Sequence, residues 1–150
     1  MRGAFIRIFI NAICFIFEKK CRLLRKALTI TERAYGPDHR EVAIILTNLG
    51  DAYGAGYRDF NRQRELIERA LKINENVYGP NHVNVAIVVN KLGVAYGNLK
   101  HPEVEYEMQQ RALKIFRRCY SEDNHWVKFT KSRLEYSAGK VRKKYQCIIQ

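Results

Sequence analysis

The sequence predicts an all-α protein: an α-solenoid of antiparallel helix pairs, with two full repeats and a partial repeat at each end. Three observations predict it. A pentapeptide recurs, YGPDH at 35–39 and YGPNH at 78–82. The matching continues on both sides, LLRKALTITERA (23–34) against LIERALKINENV (66–77), and REVAIILTNLGDAY (40–53) against VNVAIVVNKLGVAY (83–96). The spacing is also constant: His39, His82 and His125 stand 43 residues apart, and Ala27, Ala70 and Ala112 stand 43 and then 42 apart. Self-similarity at such a period marks stacked supersecondary units, each unable to bury its own apolar face alone. A weaker third copy, QQRALKIFRRCYSEDNHW, follows at 109–126.

The chain begins with AFIRIFINAICFIF (4–17), strongly apolar, followed by the basic EKKCRLLRK. Fourteen residues are too few to span a bilayer as a helix. Arg7 and Asn11 interrupt the run, and no A-x-A cleavage site follows. Phe17 aligns with Phe60, so 18–34 reads as the second helix of a pair whose first helix is missing. Residues 1–17 are then an apolar N-terminal helix or cap over the exposed end of an array at 18–138. A membrane-surface helix and a signal or anchor are the alternatives.

Each repeat reads as two amphipathic helices. Val42, Ile45, Leu46, Leu49 and Tyr53 fall at i, i+3, i+4, i+7 and i+11, one helical face, and Val85, Val88, Val89, Leu92 and Tyr96 repeat the pattern. RQRELIERALKINENVY (62–78) places Leu66, Ile67, Ala70, Leu71, Ile73 and Val77 on a similar stripe. The pentapeptide is a stop and restart between helices. Gly36 and Gly79 supply the left-handed residue that ends a helix, Pro37 and Pro80 cannot continue it, and Asp38 and Asn81 are expected N-caps of the next helix. The recurring histidine is expected to be architectural. Residues 139–150 are expected to be a basic, disordered C-terminal tail.

The residues at the helix crossings carry a family resemblance. Leu49-Gly50-x-x-Tyr53 and Leu92-Gly93-x-x-Tyr96 match the tetratricopeptide L-G-x2-Y signature, with Leu46 and Val89 at its Trp position. ALKINENVYGPNHVNVAIVVNKLGVAY (70–96) and HPEVEYEMQQRALKIF (101–116) resemble the long-period repeats of kinesin light chains and their nephrocystin-3-like relatives. The resemblance runs over roughly 18–135, without the coiled-coil heptads of a whole kinesin light chain. It implies a non-enzymatic interaction module that binds a protein or peptide along the concave face lined by the first helices. The implied groove positions are Thr47, Asn48 and Asp51, with Ile44, and then Asn90, Lys91, Val94 and Asn98, with Ile87. Asn48 and Asn90 would bond a peptide backbone, and Lys91 would favour an acidic ligand. Gly50 and Gly93, with Ala70 and Ala112 opposite, are expected to let partner helices approach closely.

Composition narrows the function classes. The formal net charge is +12, concentrated at the ends: residues 1–34 carry 8 basic and 2 acidic side chains, residues 111–150 carry 11 and 3, and residues 35–110 carry 8 and 10. Basic charge without a recognition motif gives salt-sensitive, non-specific attraction, so no specific nucleic-acid ligand is expected. Cys14, Cys21, Cys119 and Cys147 lack metal-ligand spacing, so no metal is expected and reduced cytoplasmic thiols are. No catalytic constellation or phosphate loop appears: Gly54 and Gly56 fit a helix–helix turn, and Glu103, Glu105 and Glu107 suit a helix N-terminus after Pro102. Neither enzyme activity nor a cofactor is expected. The alternative function is a peripheral membrane-associated repeat protein held by its N-terminus. Self-association through an uncapped end is a further expectation.

Overall fold

The computed structural model describes the backbone of residues 2–149 and the side chains of residues 15–146. Six α-helices follow one another: α1 Arg2–Tyr35, α2 Arg40–Ala52, α3 Phe60–Tyr78, α4 Val83–Asn98, α5 Pro102–Cys119 and α6 His125–Ile149, with a π-helical turn at Tyr53–Tyr57 between α2 and α3. No strand occurs among the described residues. Contacts divide the chain into two compact units, residues 1–70 and residues 71–150.

In the first unit α1 packs on α2 and the π turn. Cys21, Leu49 and Ala52 are fully or almost fully buried there, flanked by Leu24, Leu28, Tyr53 and Leu66. A Cβ on Gly50 would stand 2.9 Å from Ile67 Cγ1, so this glycine sets how closely α3 can approach. In the second unit α5 lies between α4 and α6. Its core joins Val85, Ala86 and Val89 of α4 to Ala112, Leu113, Ile115 and Phe116 of α5 and Val127 of α6. Gly93 repeats the role of Gly50: a Cβ there would meet Met108 Cβ at 3.1 Å and Gln109 Nε2 at 2.7 Å.

The pentapeptides stop and restart helices as expected, through different caps. Gly36 and Gly79 adopt φ of +87° and +81°, and their N–H groups donate to the Glu32 and Glu75 carbonyls, each at 2.9 Å. The N-caps, however, are His39 and His82 rather than Asp38 and Asn81. His39 Nδ1 accepts from Glu41 N–H at 3.3 Å and His82 Nδ1 from Asn84 N–H at 3.1 Å. Each imidazole also stacks on the tyrosine that ends the preceding helix, Tyr35 or Tyr78, with centroids 4.7 Å apart. The histidine therefore ties both sides of the turn together. His82→Ala should cost about 1 kcal/mol, the usual worth of an N-cap, measured as a shift of the urea midpoint at unchanged slope.

Two expected boundaries are modified. α1 runs unbroken across residues 17 and 18, so residues 4–16 extend the second-type helix rather than forming a separate helix against it. The side chains of residues 4–14 lie outside the described residues, and Phe15 and Ile16 are exposed. Among the described residues no helix is long and apolar enough to cross a membrane. At the other end the expected tail continues α6 to Ile149. Lys140 and Lys144 anchor it, reaching Glu105 at 3.6 Å and Glu103 at 2.6 Å near the start of α5.

Candidate peptide-binding surface

The first helix of each pair leaves one narrow stripe outside the core. On α4 it comprises Ile87, Lys91, Val94 and Asn98, at i, i+4, i+7 and i+11; the first three are half-buried and Asn98 is exposed. On α2 the corresponding positions are Ile44, Asn48 and Asp51, with Ile44 51% exposed, Asn48 exposed and Asp51 half-buried. Seven expected side chains thus lie on or beside open surface, but two do not. Thr47 is 8% exposed and donates to the Ala43 carbonyl at 2.8 Å. Asn90 is 1% exposed, and its side-chain amide donates to Thr130 Oγ1 of α6. The expectation that Thr47 and Asn90 are open to a ligand is corrected: each sits one residue, or 100° of helix, away from the exposed stripe. Asn90 is spent on the seam between α4 and α6, and its backbone carbonyl accepts from Gln109 Nε2 at 3.2 Å.

Four residues of α6 extend this surface and were missed by sequence reasoning. Phe129, Arg133, Tyr136 and Lys140 lie 42 residues beyond Ile87, Lys91, Val94 and Asn98 and repeat their spacing. Phe129 is 40% and Tyr136 55% exposed. Lys140 Nζ lies 4.2 Å from the Tyr136 ring centroid and the Arg133 guanidinium 5.5 Å, so two cations flank one aromatic ring. The signal that could have found them is the repeat offset applied to the stripe instead of to the L-G-x2-Y motif, which the third copy lacks.

Behind these side chains lies a charged pocket of the fold. Glu105 is fully buried and bonds Arg133 Nη2, with Lys140 at 3.6 Å. Gly97 makes the room, since a Cβ there would run into the Glu105 carboxylate. Two cations thus share one acid, and the surface keeps an excess of positive charge. Nearby, the hydrogen bond from Lys144 holds the Glu103 carboxyl below the usual carboxylate range and raises the lysine in turn. Among the described residues no group of three or more His, Cys, Asp or Glu side chains is placed to hold a metal.

Comparison with known proteins agrees with the helical-repeat fold. Residues 17–41 and 42–84 match the tetratricopeptide repeat family. The structure is similar to BtubC (BKLC) from P. vanneervenii, at 25% identity and a TM-score of 0.74, covering 88% of this chain and 54% of that one. It is also similar to a P. anserina protein assigned as a kinesin light chain with nearly identical TPR-like repeats, at 15% identity and a TM-score of 0.67, covering 87% and 61%. The chain therefore spans less than two thirds of the length of either solved structure. No curated protein matches the sequence.

Proposed function

The chain carries tetratricopeptide repeats of the long-period, kinesin-light-chain-like kind, and from that premise we propose that it is a non-enzymatic module whose paired stripes on α4 and α6 bind a peptide segment of a partner protein. Repeats of this family mediate protein–protein interaction. One observation carries the reading further. The stripes Ile87–Lys91–Val94–Asn98 and Phe129–Arg133–Tyr136–Lys140 match in register, and the Asn90–Thr130 bond joins the two helices beside them.

The chemistry of the stripes supports a partner that is part apolar and part acidic. Ile87, Val94, Phe129 and Tyr136 offer apolar and aromatic contact, which dominates peptide recognition in grooves. Arg133 and Lys140, two cations beside the one carboxylate of Glu105, favour an acidic segment.

The test is a random-peptide display selection on the full chain, repeated on Phe129→Ala/Tyr136→Ala. Both side chains are partly exposed, so the variant keeps the fold. A convergent, acidic motif whose affinity the variant lowers about tenfold or more is expected. A folded chain that yields no convergent motif, or one indifferent to the variant, would overturn the reading.

A further inference from the structure

We infer that the outward face of α1 docks an acidic helical element of another protein, seated where α5 receives α4, the first helix of its pair, and the turn before it. The repeat register carries the inference. Leu23, Ala27 and Ile30 of α1 stand where α5 has Met108, Ala112 and Ile115. In the second unit Ala112 and Ile115 are 0% and 2% exposed, inside the cluster with Val85, Ala86 and Val89 of α4, while Met108 lies against Gly93. On α1 the same positions face outward, with Leu23 55% and Ile30 67% exposed. Ala27 keeps the small side chain that close helix approach requires.

A second, independent observation says what the occupant carries. Lys26 stands in register with Arg69 and Arg111. Arg69 grips Glu32 at 2.7 Å and the Pro37 carbonyl at 3.4 Å. Arg111 repeats both contacts, with Glu75 and with the Pro80 carbonyl. Both arginines therefore hold a carboxylate and a turn carbonyl from the preceding repeat. Lys26 is exposed and has no such counterpart among the described residues.

Charge selects among occupants. Lys19, Lys20, Arg22 and Arg33 are exposed around the seam, while Glu32 is engaged by Arg69. A second copy would bring like charge, because α6 also exposes Lys128, Lys131, Arg142 and Lys143. An anionic lipid surface matches the charge, but it has no use for a small residue at Ala27 or for a carboxylate placed at Lys26. An acidic helical element satisfies all three.

The probe is a fluorescent peptide of residues 71–98, the segment α5 receives in the second unit, made acidic by Lys72→Glu and Lys91→Glu. Titrated into the full chain, it should bind saturably. Leu23→Ser/Ile30→Ser in the chain should weaken it about tenfold or more, with helicity unchanged because both positions are exposed. Lys26→Ala in the chain and Glu75→Gln in the peptide should each weaken it, and together no more than either alone, as coupled partners do. Absent or non-saturable binding would overturn the proposal, as would binding that ignores Leu23 and Ile30. Pelleting with phosphatidylserine vesicles that Leu23→Ser/Ile30→Ser abolishes, without peptide binding, would assign the face to membranes instead. Neither result depends on the α4–α6 surface.

Discussion

Phe116→Ala should destabilise the second unit by about 3–5 kcal/mol, the usual cost of emptying a phenylalanine site in a packed core. Phe116 is fully buried and is the largest fully buried side chain among the described residues. It lies between Trp126, 5.6 Å away and nearly parallel, and Tyr120 at 6.2 Å. Its cluster also includes Val85, Ala86 and Val89 of α4 and Val127 of α6, so one ring serves three helices. The cavity cannot close easily, because Gly93 already holds α4 and α5 at their nearest approach. Repeat arrays gain stability from nearest-neighbour packing, and folded domains carry only about 5–15 kcal/mol in total. The variant should therefore populate a chain unfolded over residues 71–150 under mild urea. Trp126, the single tryptophan, reports that transition directly. The register equivalents of Phe116 are Thr31 and Asn74, so the aromatic anchor exists only in this copy. A loss below about 1 kcal/mol, within the range of a surface change, would contradict the packing described.

Much of this architecture is legible in the sequence, and the exceptions share a cause. Helix identity, the glycine stops at 36 and 79, and the tight crossings at Gly50 and Gly93 follow from local pattern and repeat alignment. Helical periodicity reports the face turned to the partner helix of the same pair. It does not report the seam with α6, which is why Asn90 reads as open although it is buried, and Thr47 is buried one position off the exposed stripe. The third copy hid its share of the surface for a different reason. Where α2 and α4 have Gly50 and Gly93, α6 has Glu135, so a motif search passes over Phe129, Arg133, Tyr136 and Lys140. Capping by His39 and His82 rested on side-chain geometry, since Asp38 and Asn81 are equally good caps by composition. The anchoring of α6 by Lys140 and Lys144 depends on acids more than thirty residues away, and no local pattern signals such a pair.

Arg133→Met should destabilise the second unit by about 3 kcal/mol, whereas adding Glu105→Gln to it should recover most of the loss. Glu105 is a carboxylate with no exposed surface. Removing one partner of a buried pair leaves a charge without solvation, and such changes cost about 3–5 kcal/mol. Arg133 is 25% exposed and Lys140 remains 3.6 Å from the carboxylate, so the low end of that range applies. A neutral amide removes the stranded charge, and the chain already contains that solution. Gln63 is the register equivalent of Glu105, 7% exposed and placed against Gly54 as Glu105 is against Gly97. Glu105→Gln thus gives the second unit the amide that the first unit has at the same position. Four chemical-denaturation curves, for the parent, both single variants and the double, give the coupling directly. Additive losses would mean that Arg133 contributes through its packing on Tyr136 rather than through Glu105. In that case the positive charge beside Tyr136 would be available to a ligand in full, and the preference of the α4–α6 surface for acidic peptides should strengthen in Glu105→Gln alone. Strong coupling would instead identify Glu105 as the counter-charge that fixes Arg133 in place at the binding surface.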